Sequence, residues 1–272
     1  MRNSLNTLTP LNSVKRRGGA LALVLGAALV AGCGSSSSES TARLRGVDLA
    51  VNAATGGVQV NGSANGGDLN FGEASPYNFI GQGYQDFFFS TTATTTATPP
   101  PHVGLQLNNG SFYTEYLIGR ADVADVRLGV TDPRFLQAVV TGDKGAAAGY
   151  AVTPYADPPS GDANVRILNG APDAGKVDVL INGTVAFAAV AYPALPKLVV
   201  ATDLNTPALN PVTLYQATPA GTLSLQVNAA GTATALVPPT NVSVAAGKAY
   251  TLVVTEPAIT PTYGVYTSPD QQ

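Results

Sequence analysis

Two stretches of this chain lie over one another without a gap at a spacing of 121 residues. One runs from Arg45 to Gly62 and the other from Arg166 to Gly183; each opens on Arg and closes on a short apolar segment leading into Asn-Gly. A second echo sets Asn109-Gly-Ser-Phe-Tyr-Thr114 against Ala246-Gly-Lys-Ala-Tyr-Thr251, a Gly turn followed by a strand that opens with Tyr-Thr. Chance could give either echo but hardly both in the same order, so one folding unit used twice is expected. Val58-Gln-Val60 and Val177-Asp-Val-Leu-Ile181 alternate as half-buried strands do, and Asn61-Gly62 and Asn182-Gly183 are the strongest short hairpin signal.

Further strands are expected at Gln85–Ser90, Val103–Leu107, Tyr113–Ile118, Val126–Val130, Lys197–Ala201, Val212–Gln216, Thr222–Val227, Thr232–Val237 and Tyr250–Thr255. Turn residues punctuate them at sandwich-like intervals, and no segment after Cys33 sustains a 3.6-residue apolar period. Charged residues are only 11% of the chain, while Gly (29) and Pro (20) are plentiful, a composition of short strands and many turns. The expected fold class is all-β, with two tandem sandwiches of immunoglobulin-like or transthyretin-like type at 42–150 and 163–272. The Pro-rich stretch 151–162 reads as a stiff linker between them.

The first 32 residues read as a secretory leader. Lys15-Arg16-Arg17 precedes the apolar run Ala20–Ala31, which is too short to span a bilayer. Val30-Ala31-Gly32-Cys33 resembles the bacterial lipobox, which implies cleavage between Gly32 and Cys33 and lipid on the Cys33 thiol. Residues 33–41 then form a lipidated Cys with a Ser-rich tether. Gly34 is not the Asp associated with inner-membrane retention, so an extracytoplasmic envelope location is expected, on the outer membrane if the host has two. The leader holds four of the 14 Lys and Arg residues and no acid, leaving ten against 17 acids, a net charge of −7. Such a surface repels phosphate backbones, which argues against nucleic acid as a partner.

Catalytic devices are scarce. The only His is His102, beside Pro99-Pro-Pro101, and the only Cys is Cys33, so a Cys-His nucleophile or a His/Cys zinc site has no residues to build it. Carboxylate pairs remain, Asp122 with Asp125 and Asp173 with Asp178. Asp173 follows Pro172 at a turn position where its carboxylate is expected to accept a nearby backbone N–H. Asp178 alternates between Val177 and Val179 and is expected at the solvent face or the edge of a strand pair. Asn61, Asn109, Asn182 and Asn241 each open an Asn-x-Ser/Thr triplet and read as hairpin turns; the Thr-rich stretch 90–98 reads as a solvated loop. Phe87-Phe88-Phe89 puts rings on both faces of a strand and predicts burial on both sides. No catalytic residue, cofactor or metal ligand is assigned.

The segment Val165-Arg166-Ile167-Leu168-Asn169, with Ala171-Pro172-Asp173-Ala174, Val177-Asp178-Val179 and Asn182-Gly183, resembles the bacterial domain-of-unknown-function family numbered 4397. The turn and strand at Gly247–Thr251 support it. In the first copy Val51 stands in place of Pro172 and Gly57 in place of Asp178. The resemblance implies tandem extracytoplasmic β-sandwiches and no established activity. The functional expectation is a non-enzymatic surface lipoprotein, held at the membrane through Cys33, that serves adhesion, scaffolding or binding of a polysaccharide or protein. The alternative is a hydrolase that acts on envelope or extracellular glycans through a carboxylate pair.

Overall fold

Alternating side chains, Gly turns and two Asn-Gly hairpins produce sixteen strands and no helix among the described residues of the computed structural model: 41–53, 55–91, 102–122, 134, 136–143, 158–193, 213–256 and 262–270. The first eight strands are β1 (Thr41–Asp48), β2 (Gly56–Val60), β3 (Ser63–Ala64), β4 (Asn78–Gly81), β5 (Gly83–Thr91), β6 (His102–Leu107), β7 (Phe112–Ile118) and β8 (Gln137–Gly142). The second eight are β9 (Asp162–Asn169), β10 (Val177–Ile181), β11 (Thr184–Val190), β12 (Gln216–Pro219), β13 (Gly221–Ala229), β14 (Ala235–Val244), β15 (Ala249–Thr255) and β16 (Gly264–Pro269).

The two sets have the same plan. One sheet of the first half has the order β4-β1-β7-β8 and the other β3-β2-β5-β6; the second half gives β12-β9-β15-β16 and β11-β10-β13-β14. Pairs are antiparallel except β1 with β7 and β9 with β15, which are parallel. The tight hairpins are those expected. Asn61 and Gly62 have φ of 49° and 79°, and Asn182 and Gly183 have 51° and 79°, the left-handed pair that matches strand twist in a two-residue loop.

Each half encloses its own core. Leu44, Val58, Phe87, Phe89, Leu105 and Leu117 fill the first, and Val165, Ile167, Val179, Phe187, Leu225 and Leu252 the second. Complete burial of such a side chain contributes about 1.5–3 kcal/mol. A third cluster joins the halves: Val47, Leu49, Tyr116, Ile118 and Val139 meet Leu168 and Val253. Apart from Leu49, which follows β1 directly, these residues sit on β1, β7, β8, β9 and β15, on the sheet faces turned away from the two cores. Two central sheets thus face each other, each with its partner sheet behind it.

Some expected elements change. Thr232–Thr234 turn after β13, and β14 begins only at Ala235 but runs to Val244. Asn241 lies inside that strand opposite Ser224, so it is no hairpin turn; the strand is an edge, where Pro238 and Pro239 leave no ladder partner wanting. Thr213–Tyr215 join no ladder, so of the described part of the 212–216 expectation, 213–216, only Gln216 is in a strand. Phe87 and Phe89 are buried, whereas Phe88 on the opposite face is half-buried. Val126–Val130, Lys197–Ala201, residues 151–157 of the linker, and the leader with Cys33 lie outside the described residues.

Candidate functional site

The polar residues that the fold brings together lie between the two central sheets. Arg45 on β1 and Arg166 on β9 occupy equivalent positions and leave the faces opposite their cores. Arg45 Nε donates to Thr114 Oγ1 at 2.9 Å, and Arg166 Nε donates to Thr251 Oγ1 at 2.8 Å. Thr114 Oγ1 lies 2.7 Å from Asp143 Oδ2, and Thr251 Oγ1 lies 2.9 Å from Asp270 Oδ1. Tyr77 donates its hydroxyl to Asp143, and Tyr215 donates its own to Asp270. The rings of the same two tyrosines lie against the guanidinium carbons, 4.7 Å for Tyr77 on Arg45 and 4.5 Å for Tyr215 on Arg166. Each half therefore supplies one Arg, one Thr, one Asp and one Tyr in the same arrangement.

The two sets interlock. Arg45 Nη2 crosses to Ser268 Oγ (2.6 Å) and to the Pro269 carbonyl (2.9 Å). Arg166 Nη2 crosses to Asp143 Oδ1 at 3.3 Å while staying 3.4 Å from Asp270 Oδ2 of its own half. Arg166 and Asp143 are 0% exposed, and Arg45 and Asp270 nearly so. Burial alone opposes a charge on Arg166, but Asp270, Tyr215 and Asp143 around it more than reverse that and hold its pKa above the ordinary value. Burial raises Asp143, and the nearby Asp270 adds to it against the pull of Arg166 and Arg45. Two carboxylates beside one guanidinium form a structural lock, with their oxygens occupied.

A second set of ion pairs lies at the margin of this layer. Arg120 Nη1 and Arg134 Nη1 donate to the two carboxylate oxygens of Asp173 at 2.7 and 2.6 Å, Arg120 also holds Asp122, and the Asp173 N–H donates to Glu256. Burial opposes the charge on Asp173, but Arg134 and Arg120 outweigh it and its pKa is lowered. This corrects the expectation of a turn cap: Asp173 reaches across to the first half instead of bonding its own turn.

Asp178 does organise backbone. Its two oxygens accept the N–H groups of Ala189 (2.7 Å) and Gly231 (2.8 Å), which lower its pKa, and Ala189 is held there at a φ of 52° where β11 bulges. Asn169 accepts from the Ala171 N–H and donates to the carbonyls of Gly175 and Val190, fixing the loop around buried Pro172. Val177 and Val179 are core residues, and Asn182-Gly183 is the hairpin. Asp173 and Asp178 thus lie in separate hydrogen-bond sets and share no site. Among the described residues no group of three His, Cys, Asp or Glu could hold a metal ion. Asp125 lies outside the described residues; His102 opens β6.

Sequence reasoning set Arg45 over Arg166 but did not find Tyr77 and Thr114 as partners of the first, or Asp143, Tyr215, Thr251 and Asp270 as partners of the second. It also passed over Glu115, fully buried with neither carboxylate oxygen partnered, whose pKa burial and nearby Asp86 push up to about 8. Asp48 is likewise raised to about 7 by burial, against the pull of the Ala50 N–H.

With this geometry in hand, residues 163–272 match the family model described as a domain of unknown function, DUF4397. The matched region covers the second sandwich with its Arg166, Thr251 and Asp270. No curated protein matches the chain.

Proposed function

We propose that the chain is a non-enzymatic lipoprotein of the bacterial envelope, anchored through Cys33, whose two copies of the family sandwich are clamped into one stiff body for scaffolding or ligand binding. One observation carries this reading: the polar set repeated in each half, Arg45 with Asp143 and Arg166 with Asp270, is committed to fastening the halves and is sealed from solvent. A glycan hydrolase working through acids needs a carboxylate pair in an open cleft with room for substrate. Asp143 and Asp270 are buried behind Tyr77 and Tyr215, and Asp173 and Glu256 at the margin of the layer are tied to Arg120 and Arg134. The repeated strand order supports a tandem origin, and the lipobox-like Val30–Cys33 supports the anchor.

The test is incorporation of labelled palmitate into wild type and Cys33→Ala in a bacterial host, followed by fractionation. Label and membrane association in wild type, both lost in Cys33→Ala, are the expected results. Equal labelling of the two, or none in wild type, rejects the anchor.

A further inference from the structure

The first sandwich carries an arrangement that fastening the halves does not use. Arg43 lies two residues before Arg45 on β1, so its side chain leaves the same face of the sheet. In the ladder it stands directly between Phe79 on β4 and Phe112 on β7. Its guanidinium carbon is 4.6 Å from the centroid of the Phe79 ring and 4.8 Å from that of Phe112. Tyr77 braces Phe112 edge-on, with centroids 5.3 Å apart. Phe79 is 67% exposed, and among the described residues no hydrogen bond or ion pair engages the Arg43 guanidinium.

The fold does not need this clamp. In the second sandwich the same three ladder positions hold Asn164, Ala217 and Ala249, and the sheet forms in the same order. What the clamp does create is a guanidinium flanked by two rings, with an N–H edge that no described residue engages. That edge is a fixed fork suited to the two oxygens of a carboxylate, and pre-ordering it lowers the entropy lost on binding. The exposed Phe79 ring adds an apolar platform beside the fork. One ring and one cation offer a footprint of one or two sugar units, far below the roughly 800 Å² per partner of a stable protein complex.

We propose that Arg43, clamped between Phe79 and Phe112, binds the carboxylate of a uronic-acid unit in an acidic polysaccharide. This rests on the ligand-binding reading above and names the class of ligand.

The experiment is calorimetric titration of the full chain in detergent with an oligogalacturonate of about six units at low salt. Wild type should bind saturably, and binding should weaken as salt is raised. Arg43→Gln should weaken it about tenfold, the loss of one charge-assisted pair, with Arg43→Lys falling between; Phe79→Ala should weaken it about threefold. The fully methyl-esterified oligomer should not bind, and the melting temperatures of the variants should match wild type. Absence of binding, equal binding by Arg43→Gln, or equal binding of the ester overturns the proposal. Displacement by equimolar inorganic phosphate makes this a general oxyanion site and overturns the sugar assignment, as does tighter binding of a polyglutamate peptide. Failure of the palmitate test removes the envelope anchor and leaves this titration standing, so the two readings fail separately.

Discussion

Where the second sandwich buries Leu252, the first buries Glu115, and where the second places Asn169, the first places Asp48. The ladders make both equivalences explicit: Glu115 faces Gly46 as Leu252 faces Ile167, and Asp48 faces Leu117 as Asn169 faces Val254. Leu252 joins the second core, whereas Glu115 lies buried without a hydrogen-bond partner. Asn169 makes three bonds; Asp48 accepts one, from the Ala50 N–H, and its second oxygen is buried without a partner. One plan therefore tolerates two kinds of interior, and the first, with two buried acids short of partners, is the one expected to respond to pH.

The largest effect should come from the lock that both halves share. Arg166→Ala leaves Asp143 and Asp270 buried without their common cation, and should cost about 3–5 kcal/mol in denaturant unfolding. Arg45→Ala removes bonds to Thr114, to Ser268 and to a carbonyl, and should cost less, about 2–3 kcal/mol. Equal losses would show that the two arginines bear the docking alike.

Next comes Glu115→Leu, which gives the first half the residue of the second. At pH 8 it should stabilise the chain by about 3 kcal/mol, and Leu252→Glu should lose a comparable amount. The sign follows from proton binding. Glu115 titrates near 4.5 when unfolded and about 8 when folded, and Asp48 near 3.8 and about 7, so in those windows the folded chain holds protons that the unfolded chain releases. Their contribution is complete below the unfolded values and is lost as pH rises through the folded ones. The melting temperature of wild type should therefore fall from pH 5 to pH 8, and Glu115→Leu should remove about half of that slope, Asp48 carrying much of the rest. A wild-type profile that rises with pH would contradict the burial of both acids.

Asp48→Asn supplies the amide that Asn169 has and removes the second buried charge, and at pH 8 should gain nearly as much as Glu115→Leu. The smallest change is expected for Asp178→Asn, an exposed bridge between Ala189 and Gly231 that has only Gly57 opposite it in the first half. A slight drop in melting temperature is the expected reading, and a large one would make that bridge a main support of the second sandwich.

Much of the fold was legible because it rests on local signals. The Asn61-Gly62 and Asn182-Gly183 hairpins, the alternation at Val177–Ile181 and the Tyr-Thr openings of β7 and β15 each state their structure within a few residues. The lock was not legible for a definite reason. Arg45 and Arg166 are 121 residues apart, but Tyr77 and Tyr215 are separated by 138, and Asp143 and Asp270 by 127. Connections of different length between equivalent strands shift the register, so an ungapped comparison recovers the arginines and loses their partners. Asp173 misled for a related reason: its local context fits a turn cap, yet Arg120 and Arg134, distant in sequence, claim both oxygens. Glu115 was invisible because an alternating strand with one acid on its inner face looks like one with that acid on its outer face.

The crossed contacts of Arg45 and Arg166 have a consequence for how such modules multiply. Each half presents a face bearing an unfinished set of charges, and only a second face of the same design completes it. Appending a third half to this chain would add one such face with nothing to close it, while appending two would add a closed couple. In these terms the closed structural unit is the couple, and the single sandwich is half of it.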